Sequence, residues 1–168
     1  IEVIYEGIDT KRFKRSQKVS KYRKYGNYIL FVGTVQPRKN LTRLIEAFSK
    51  IKDKKYQLII AGKLGWLYEE ILAAPKKFKV EDRVHFIGRV KDENLPGLYK
   101  GAKLFVLPSI TEGFGLPILE AQAAGVPILS SGKGALPEIA GNGAFFVNPF
   151  SVDYIKEGME KILADKNL

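Results

Sequence analysis

The chain has no cysteine and a single histidine, His85. Disulfides, thiolate nucleophiles and zinc–thiolate sites are excluded, and one imidazole cannot build a multi-histidine metal centre. No apolar run approaches the roughly 18 residues a membrane-spanning helix needs. The opening Ile1-Glu2-Val3-Ile4 carries neither an initiator Met nor a signal-peptide layout. The expectation is a cytoplasmic piece of something longer, at most peripheral to the inner membrane face. Several common motifs are missing too. Neither Gly113-Phe114-Gly115 nor Gly132-Lys133-Gly134 has the third glycine of a dinucleotide fingerprint. Gly62-Lys63 is followed by Leu64, and Gln57 stands where a phosphate-binding P-loop needs its first glycine. There is no Gly-x-Ser-x-Gly elbow for a nucleophilic serine and no Asp-x-Asp pair for a divalent cation.

What is present fits one soluble domain. At 168 residues, 45% hydrophobic and 27% charged, the chain can bury a full core, and disorder as a whole is ruled out. The net charge of +10 is lopsided: residues 1–55 hold 15 Lys or Arg against 5 Asp or Glu, and the remainder is balanced. Such a basic end attracts phosphorylated ligands, acidic lipid or nucleic acid, although Lys11 to Lys24 reads equally as a solvated loop.

Short β-rich runs alternate with helix-length amphipathic stretches, which predicts parallel strands joined by helical crossovers. Strands are expected at Tyr28–Val32, Gln57–Ala61, Val84–Ile87, Leu104–Leu107, Pro127–Ser130 and Ala144–Val147, with a further one at Glu2–Tyr5. Their nearly continuous apolar character matches a sheet covered on both faces. Helices are expected at Leu41–Lys52, Trp66–Ala74, Glu93–Lys100, Pro117–Ala124, Ala135–Ala140 and Val152–Ala164. Asn40 reads as an N-cap, Pro117 suits a first helical turn, and Gly125 suits a left-handed exit. Leu44, Ala47, Phe48 and Ile51, like Ile155, Met159, Ile162 and Leu163, recur at core-facing helical spacing. Asp9 to Gly26 is basic, lacks periodic apolar residues and reads as flexible. His85 alternates with apolar neighbours and reads as a packed or edge histidine.

In an open parallel sheet, ligands bind beyond the carboxyl ends of the strands. Three loops there stand out. Gly33-Thr34-Val35-Gln36-Pro37-Arg38-Lys39-Asn40 carries two adjacent cations into a helix start, a combination that favours phosphate, with a solvated Arg-Lys pair on a turn as the plainer alternative. Pro108 to Glu120 places Glu112 before a Gly-x-Gly turn and Glu120 just inside a helix. Glycines let backbone N–H groups approach a ligand closely, and carboxylates on either side would accept from hydroxyls. Together these describe a phosphorylated sugar; Glu112 as a capping group and Glu120 as a dipole-favoured residue is the plainer alternative. Ser130 to Glu138 repeats small residues before a short helix and either closes over a ligand or merely connects.

In order, these segments resemble the C-terminal donor-binding domain of retaining GT-B glycosyltransferases of the large family 4 group. Val3 to Asp9 resembles the interdomain linker, Phe31 to Asn40 the phosphate loop, Leu58 to Gly62 a core strand, and Val84 to Val90 the region beside the nucleobase. Glu112 to Glu120 matches the E-x7-E motif. The fold implied is Rossmann-like α/β, a parallel sheet with helices on both faces, in one nucleotide-sugar domain preceded by a linker-like basic segment at 1–26. The resemblance implies that Lys39 with Arg38 holds the donor diphosphate. It further implies that Glu112, with Gly113 and the amides of Phe114, Gly115 and Leu116, meets the sugar and its phosphate. Glu120 would accept from ribose hydroxyls, and Arg89 and Val90 would lie against the base. Thr34 stands where many members have Arg, so the Arg38-Lys39 pair would carry more of the neutralisation. Tyr5-Glu6 replaces the usual Pro-Asn of the linker.

The activity implied is metal-independent transfer of a hexose from a GDP- or UDP-sugar with retention of configuration. The similarity of Ala61-Gly62-Lys63-Leu64-Gly65-Trp66 to mannosyltransferase members leans toward GDP-mannose. Nothing in the chain corresponds to an N-terminal acceptor domain, so this piece is expected to bind donor weakly and transfer little. No cofactor and no nucleic acid are expected. The competing reading is a non-catalytic anion-binding module that docks on acidic membrane or nucleic acid, and a nucleotide-sugar epimerase would need other motifs.

Overall fold

Strands form where β-branched and aromatic residues run together, and they lie centrally because neither face of such a run tolerates water. A computed structural model describes residues 5–14 and 20–165. In chain order it contains α1 (Thr10–Lys14), β1 (Tyr28–Val32), α2 (Leu41–Ser49), β2 (Gln57–Ala61), α3 (Glu69–Lys77) and β3 (Val84–Gly88). It continues with α4 (Leu95–Gly101), β4 (Leu104–Leu107), α5 (Leu116–Ala124), β5 (Ile128–Ser131), α6 (Leu136–Ala140), β6 (Phe145–Val147) and α7 (Val152–Ala164). Short 3-10 turns occupy Ser20–Tyr25, Pro37–Lys39 and Asp92–Asn94.

The six strands form one sheet in the order β3-β2-β1-β4-β5-β6, every pairing parallel. Tyr28 pairs with Gln57 on one side of β1, and Ile29 pairs with Leu104 on the other. Helices α2, α3 and α7 pack together on one face; α1, α4, α5 and α6 pack on the other. This is the Rossmann-like α/β class expected from the sequence. Strand order reverses between β1 and β4, so the loops leaving those two strands flank the crevice where the topology puts ligands. Ile29, Leu30, Phe31, Leu58, Ile59, Ile60 and Leu104 are fully buried, as are Leu44, Ala47 and Phe48 on α2 and Ile155 and Met159 on α7.

The differences from expectation have local causes. Helix α2 ends at Ser49 rather than Lys52, because Lys50 and Ile51 donate to Ala47 and Phe48 in a tightened last turn. Helix α3 starts at Glu69 rather than Trp66, because Leu67 sits at φ 49, a left-handed conformation no right-handed helix can include. It then runs past Ala74 to Lys77 with Pro75 inside it. His85 is half-buried on the edge strand, exchanges a 2.8 Å hydrogen bond with Gln57 and stacks near Tyr25, as a packed edge histidine should. Burial and Lys24 lower its pKa. Of the expected strand Glu2–Tyr5, the first three residues lie outside the described ones, and Tyr5 is in no strand.

Asp9 to Gly26 is the main correction. Its described parts contain α1 and a 3-10 turn, anchored by Phe13 and Tyr22, both buried. The Asp9 carboxylate accepts from the N–H groups of Lys11 and Arg12 at 3.0 and 3.2 Å, capping α1. Two isolated aromatics pin the segment without the periodic stripe that a sequence test seeks.

Asn40 also departs from expectation. It precedes α2 but caps nothing with its side chain, and its backbone is left-handed at φ 60. Its amide instead donates to the carbonyls of Pro108 and Pro149 at 3.0 and 2.6 Å, and its carbonyl oxygen accepts from Arg43 at 3.0 Å. One buried side chain thus ties the loop after β1 to those after β4 and β6. Asn40→Ala should cost about 2 to 3 kcal/mol in denaturant unfolding. Asn40→Gly should recover about 1 kcal/mol of that, because glycine accepts the left-handed backbone freely.

Candidate functional site

The site is built from strand ends. Gly33 and Gly62 sit at φ 155 and 153, and a Cβ on Gly62 would collide with the Gly33 carbonyl. That close approach lets Val35 donate to Lys63 and Gly65 donate to Val35, both at 2.9 Å, so the loop after β1 leaves along a fixed path. It then tightens into the turn Pro37–Lys39, which presents the two cations.

Those cations meet the loop after β4. The Ile110 N–H donates to the Arg38 carbonyl at 2.9 Å, joining the two loops through main chain. Arg38 Nη1 donates to the Thr111 carbonyl at 3.1 Å and to Glu112 Oε2 at 2.9 Å. Lys39 Nζ donates to Glu112 Oε1, which also accepts from Ser109 Oγ at 2.7 Å. The Lys39 and Glu112 side chains are 9% and 7% exposed, whereas Arg38 keeps 39%. Burial would raise the Glu112 carboxyl, but the donors Lys39, Ser109 and Arg38 outweigh it and hold the group below the usual carboxylate range. Burial is also the largest influence on Lys39 and lowers its pKa, against the support of Glu112. Two cations and one carboxylate leave one positive charge in excess.

Beyond Glu112 the chain turns through Gly113, exposed and unobstructed, to Gly115 at φ 106. A Cβ on Gly115 would lie 2.7 Å from Leu136 Cδ2, so α6 packs against a position only glycine fits. Gly115 gives α5 no side-chain cap, Pro117 has no N–H, and the Ile118 N–H donates to the Gly115 carbonyl at 2.9 Å, so the donor that α5 itself leaves for an anion is the Leu116 N–H. Phe114 has its ring 6.1 Å from that of Tyr5, whose hydroxyl donates to Glu138 on α6. Gly134, in the loop after β5, brings its backbone beside that of Glu112.

Glu120 lies on α5, half-buried, and accepts from Tyr99 Oη at 2.7 Å. Burial raises its pKa. Thr34, half-buried, lines a cavity of about 390 Å³ at the ends of β1 to β3, together with Gly33, Gly62, Val90 and the exposed Arg89. The expected residues therefore fall into three linked groups: Arg38, Lys39 and Glu112 in direct contact; Gly113, Phe114, Gly115 and Leu116 in the turn onto α5; and Thr34, Arg89 and Val90 around the cavity. Glu120 stands apart from Glu112, each bound to its own partners. Sequence reasoning missed Ser109 and Tyr99. Ser109-Ile110-Thr111-Glu112 has the spacing at which a hydroxyl and a carboxylate meet across one turn, a readable signal; Tyr99 gave none, since its partner comes from another helix.

The arrangement suits an anion rather than covalent chemistry, since both Glu112 oxygens are already engaged by cations. Among the described residues no group of three or more His, Asp or Glu side chains is gathered to hold a metal ion. Nor is any helix there long and apolar enough to cross a membrane. Because the folded pKa of Glu112 is depressed, its pairing stabilises the fold above the normal carboxylate pKa and is lost as pH falls through the depressed value. Glu112→Gln should therefore cost about 3 kcal/mol in urea unfolding at neutral pH. The difference from wild type should vanish in acid; a pH-independent difference would contradict the ion pairing.

The sequence profile of a family described as glycosyl transferases group 1 matches residues 12–168. An O-antigen chain mannosyltransferase B of Escherichia coli is 38% identical over 141 residues, which is 82% of this chain and 37% of that protein. The chain spans less than half the length of the curated relatives it matches first. Among solved structures, the C-terminal domain of a glycosyl transferase group 1 family protein, LpcC of Francisella tularensis, superposes with TM-score 0.79 at 25% identity, covering 96% of this chain and 90% of that one. Anabaena Alr3699/HepE, solved with UDP and glucose, has the same fold over 99% of this chain and 48% of its own, with TM-score 0.89 at 23% identity. The glycosyl transferases group 1 family, to which the chain belongs, thus accounts for both its fold and its motif order.

Proposed function

We propose that the chain is the donor-binding domain of a glycosyltransferase that takes a hexose from a nucleoside diphosphate sugar and transfers it with retention and without a metal ion. The observation that carries this reading is the cluster of Arg38, Lys39 and Glu112 at the strand-order reversal, beside the uncapped start of α5. Breaking the anomeric carbon–oxygen bond leaves added negative charge on the departing diphosphate. Groups that bind that charge more tightly than the intact donor accelerate the step. The excess cation and the N–H groups of Phe114, Gly115 and Leu116 supply such stabilisation where a metal ion otherwise would.

Glu112 positions the sugar and fixes the two cations; it is not the nucleophile, because Lys39, Ser109 and Arg38 already hold both of its oxygens. Gly113 with the amides of Phe114, Gly115 and Leu116 faces the transferred sugar and its phosphate. Glu120 accepts from ribose hydroxyls, and Thr34, Arg89 and Val90 border the base in the cavity they line. Retention rests on the resemblance to the retaining family. The mannosyltransferase relative favours mannose as the sugar, the sequence resemblance leans to GDP, and HepE is a fold neighbour solved with UDP, so the donor is read as a GDP- or UDP-hexose. The acceptor belongs to the part of a full-length enzyme that this chain does not cover, and the basic N-terminal third would suit a seat on an anionic membrane face.

Calorimetric titration of the chain with GDP and UDP tests the reading. One of them should bind saturably, Glu120→Ala should weaken it on the order of tenfold, and chelation of divalent metal should leave the affinity unchanged. Strict dependence on manganese or magnesium would contradict the metal-free donor site. Steep, salt-sensitive binding of random-sequence DNA with no nucleotide response would favour the anion-docking module instead.

A further inference from the structure

The ribose contact assigned above to Glu120 depends on a side chain that never reaches the ligand. Tyr99 on α4 is fully buried, and its hydroxyl donates to Glu120 Oε2 at 2.7 Å. Its ring is held from two sides. Phe13 of α1 meets it edge-on at 5.8 Å and 70°, and Phe105 of β4 lies 5.4 Å away. A phenol has one proton to donate, and here that proton is spent on one oxygen of a half-buried carboxylate. The other oxygen, Oε1, has no protein partner among the described residues.

We propose that Tyr99 is the positioning residue of the ribose contact: it pins Glu120 Oε2 and leaves Oε1 to accept from a ribose hydroxyl, while Phe13 braces the tyrosine ring. The inference rests on the ribose role proposed for Glu120 and extends it to α1. The segment leading into the domain then helps set nucleoside affinity without touching the nucleoside. The electrostatics run the same way. Burial pushes the Glu120 carboxyl up, the bond from Tyr99 and the charge of Arg12 on α1 oppose that rise, and Asp92 in the turn before α4 adds to it. Arg12 itself donates to the Asp92 carbonyl, which seats α1 over this corner. Removing the phenol hydroxyl alone would leave the carboxylate both unpinned and easier to protonate.

The experiment compares wild type with Tyr99→Phe, which keeps the ring against Phe13 and Phe105. Each is titrated with GDP and UDP and with their 2′,3′-dideoxy counterparts across pH 5 to 8, and ligand-free thermal unfolding is recorded alongside. Tyr99→Phe should bind the ribonucleotide on the order of tenfold more weakly. It should bind the dideoxy analogue as wild type does, and the acid limb of its ribose preference should move to higher pH. Phe13→Leu, which removes the aromatic brace but keeps an apolar side chain to anchor α1, should show a smaller loss of the same kind. Equal losses for both ligands would make Tyr99 merely structural, and undiminished ribose preference in both variants would remove its role. If wild type itself does not distinguish ribose from dideoxyribose, the Glu120 contact fails, and the proposal with it. Should Tyr99→Phe fail to fold, Phe13→Leu decides: a loss confined to the ribonucleotide supports the proposal, and an equal loss or none overturns it.

Discussion

Two cations adjacent in sequence, one of them almost buried, cannot stand at the mouth of a sheet without a counter-charge. A lysine taken out of water unpaired would give up its proton or unfold its loop. Glu112 supplies that counter-charge from the neighbouring loop, and with Ser109 it binds Lys39 and Arg38 into one cluster. The cluster fixes the path of the loop after β1, the loop after β4 and, through Gly113 to Gly115, the start of α5. It also sets the local charge: one carboxylate against two cations leaves a positive excess beside the turn that opens α5 at the Leu116 N–H. That imbalance is what the proposed site for the bridging phosphates of an activated sugar rests on.

The rest of the domain keeps those loops still. Gly33 and Gly62 allow β1 and β2 to end closer than any side chain would permit, and Asn40 stitches three loops through two carbonyls. The Arg38 carbonyl takes the Ile110 N–H, so main chain as well as side chains joins the two halves of the crevice. Such cross-bracing fixes the charged groups relative to one another without a ligand, the preorganisation that the proposed transfer would use. Tyr99 donates to Glu120 as Ser109 donates to Glu112, in each case an uncharged hydroxyl on one oxygen of a half-buried carboxylate.

How much of this the sequence carries depends on range. β1, β2 and β4 are nearly continuous apolar runs, and their bounds agree with the sequence reading residue for residue. The crevice loops are marked by residue types with a local reason to be there, glycines where backbones crowd and cations where a helix begins. Periodicity fails where structure rests on single anchors. Phe13 and Tyr22 hold a segment that reads as a basic loop, and Leu67 bends the chain so that α3 starts three residues late. Asn40 has the local chemistry of a cap, yet its amide N–H groups reach the carbonyls of Pro108 and Pro149, distant in sequence, and its oxygen accepts from Arg43 instead of a helix N–H. The pairing of Glu112 with both cations is likewise a tertiary fact; spacing alone pointed the carboxylate at a sugar and not at Lys39.

The most direct test of the shared anion site is a double-mutant cycle on inorganic pyrophosphate affinity, measured by calorimetry on this chain. Lys39→Met should lose at least about tenfold in affinity, and Glu112→Gln should bind several-fold tighter because a competing carboxylate is gone. The gain from Glu112→Gln should largely disappear in the Lys39→Met background, since the charge it liberates is no longer there. Unaltered affinity in Lys39→Met, or strictly additive effects of the two substitutions, would contradict the account.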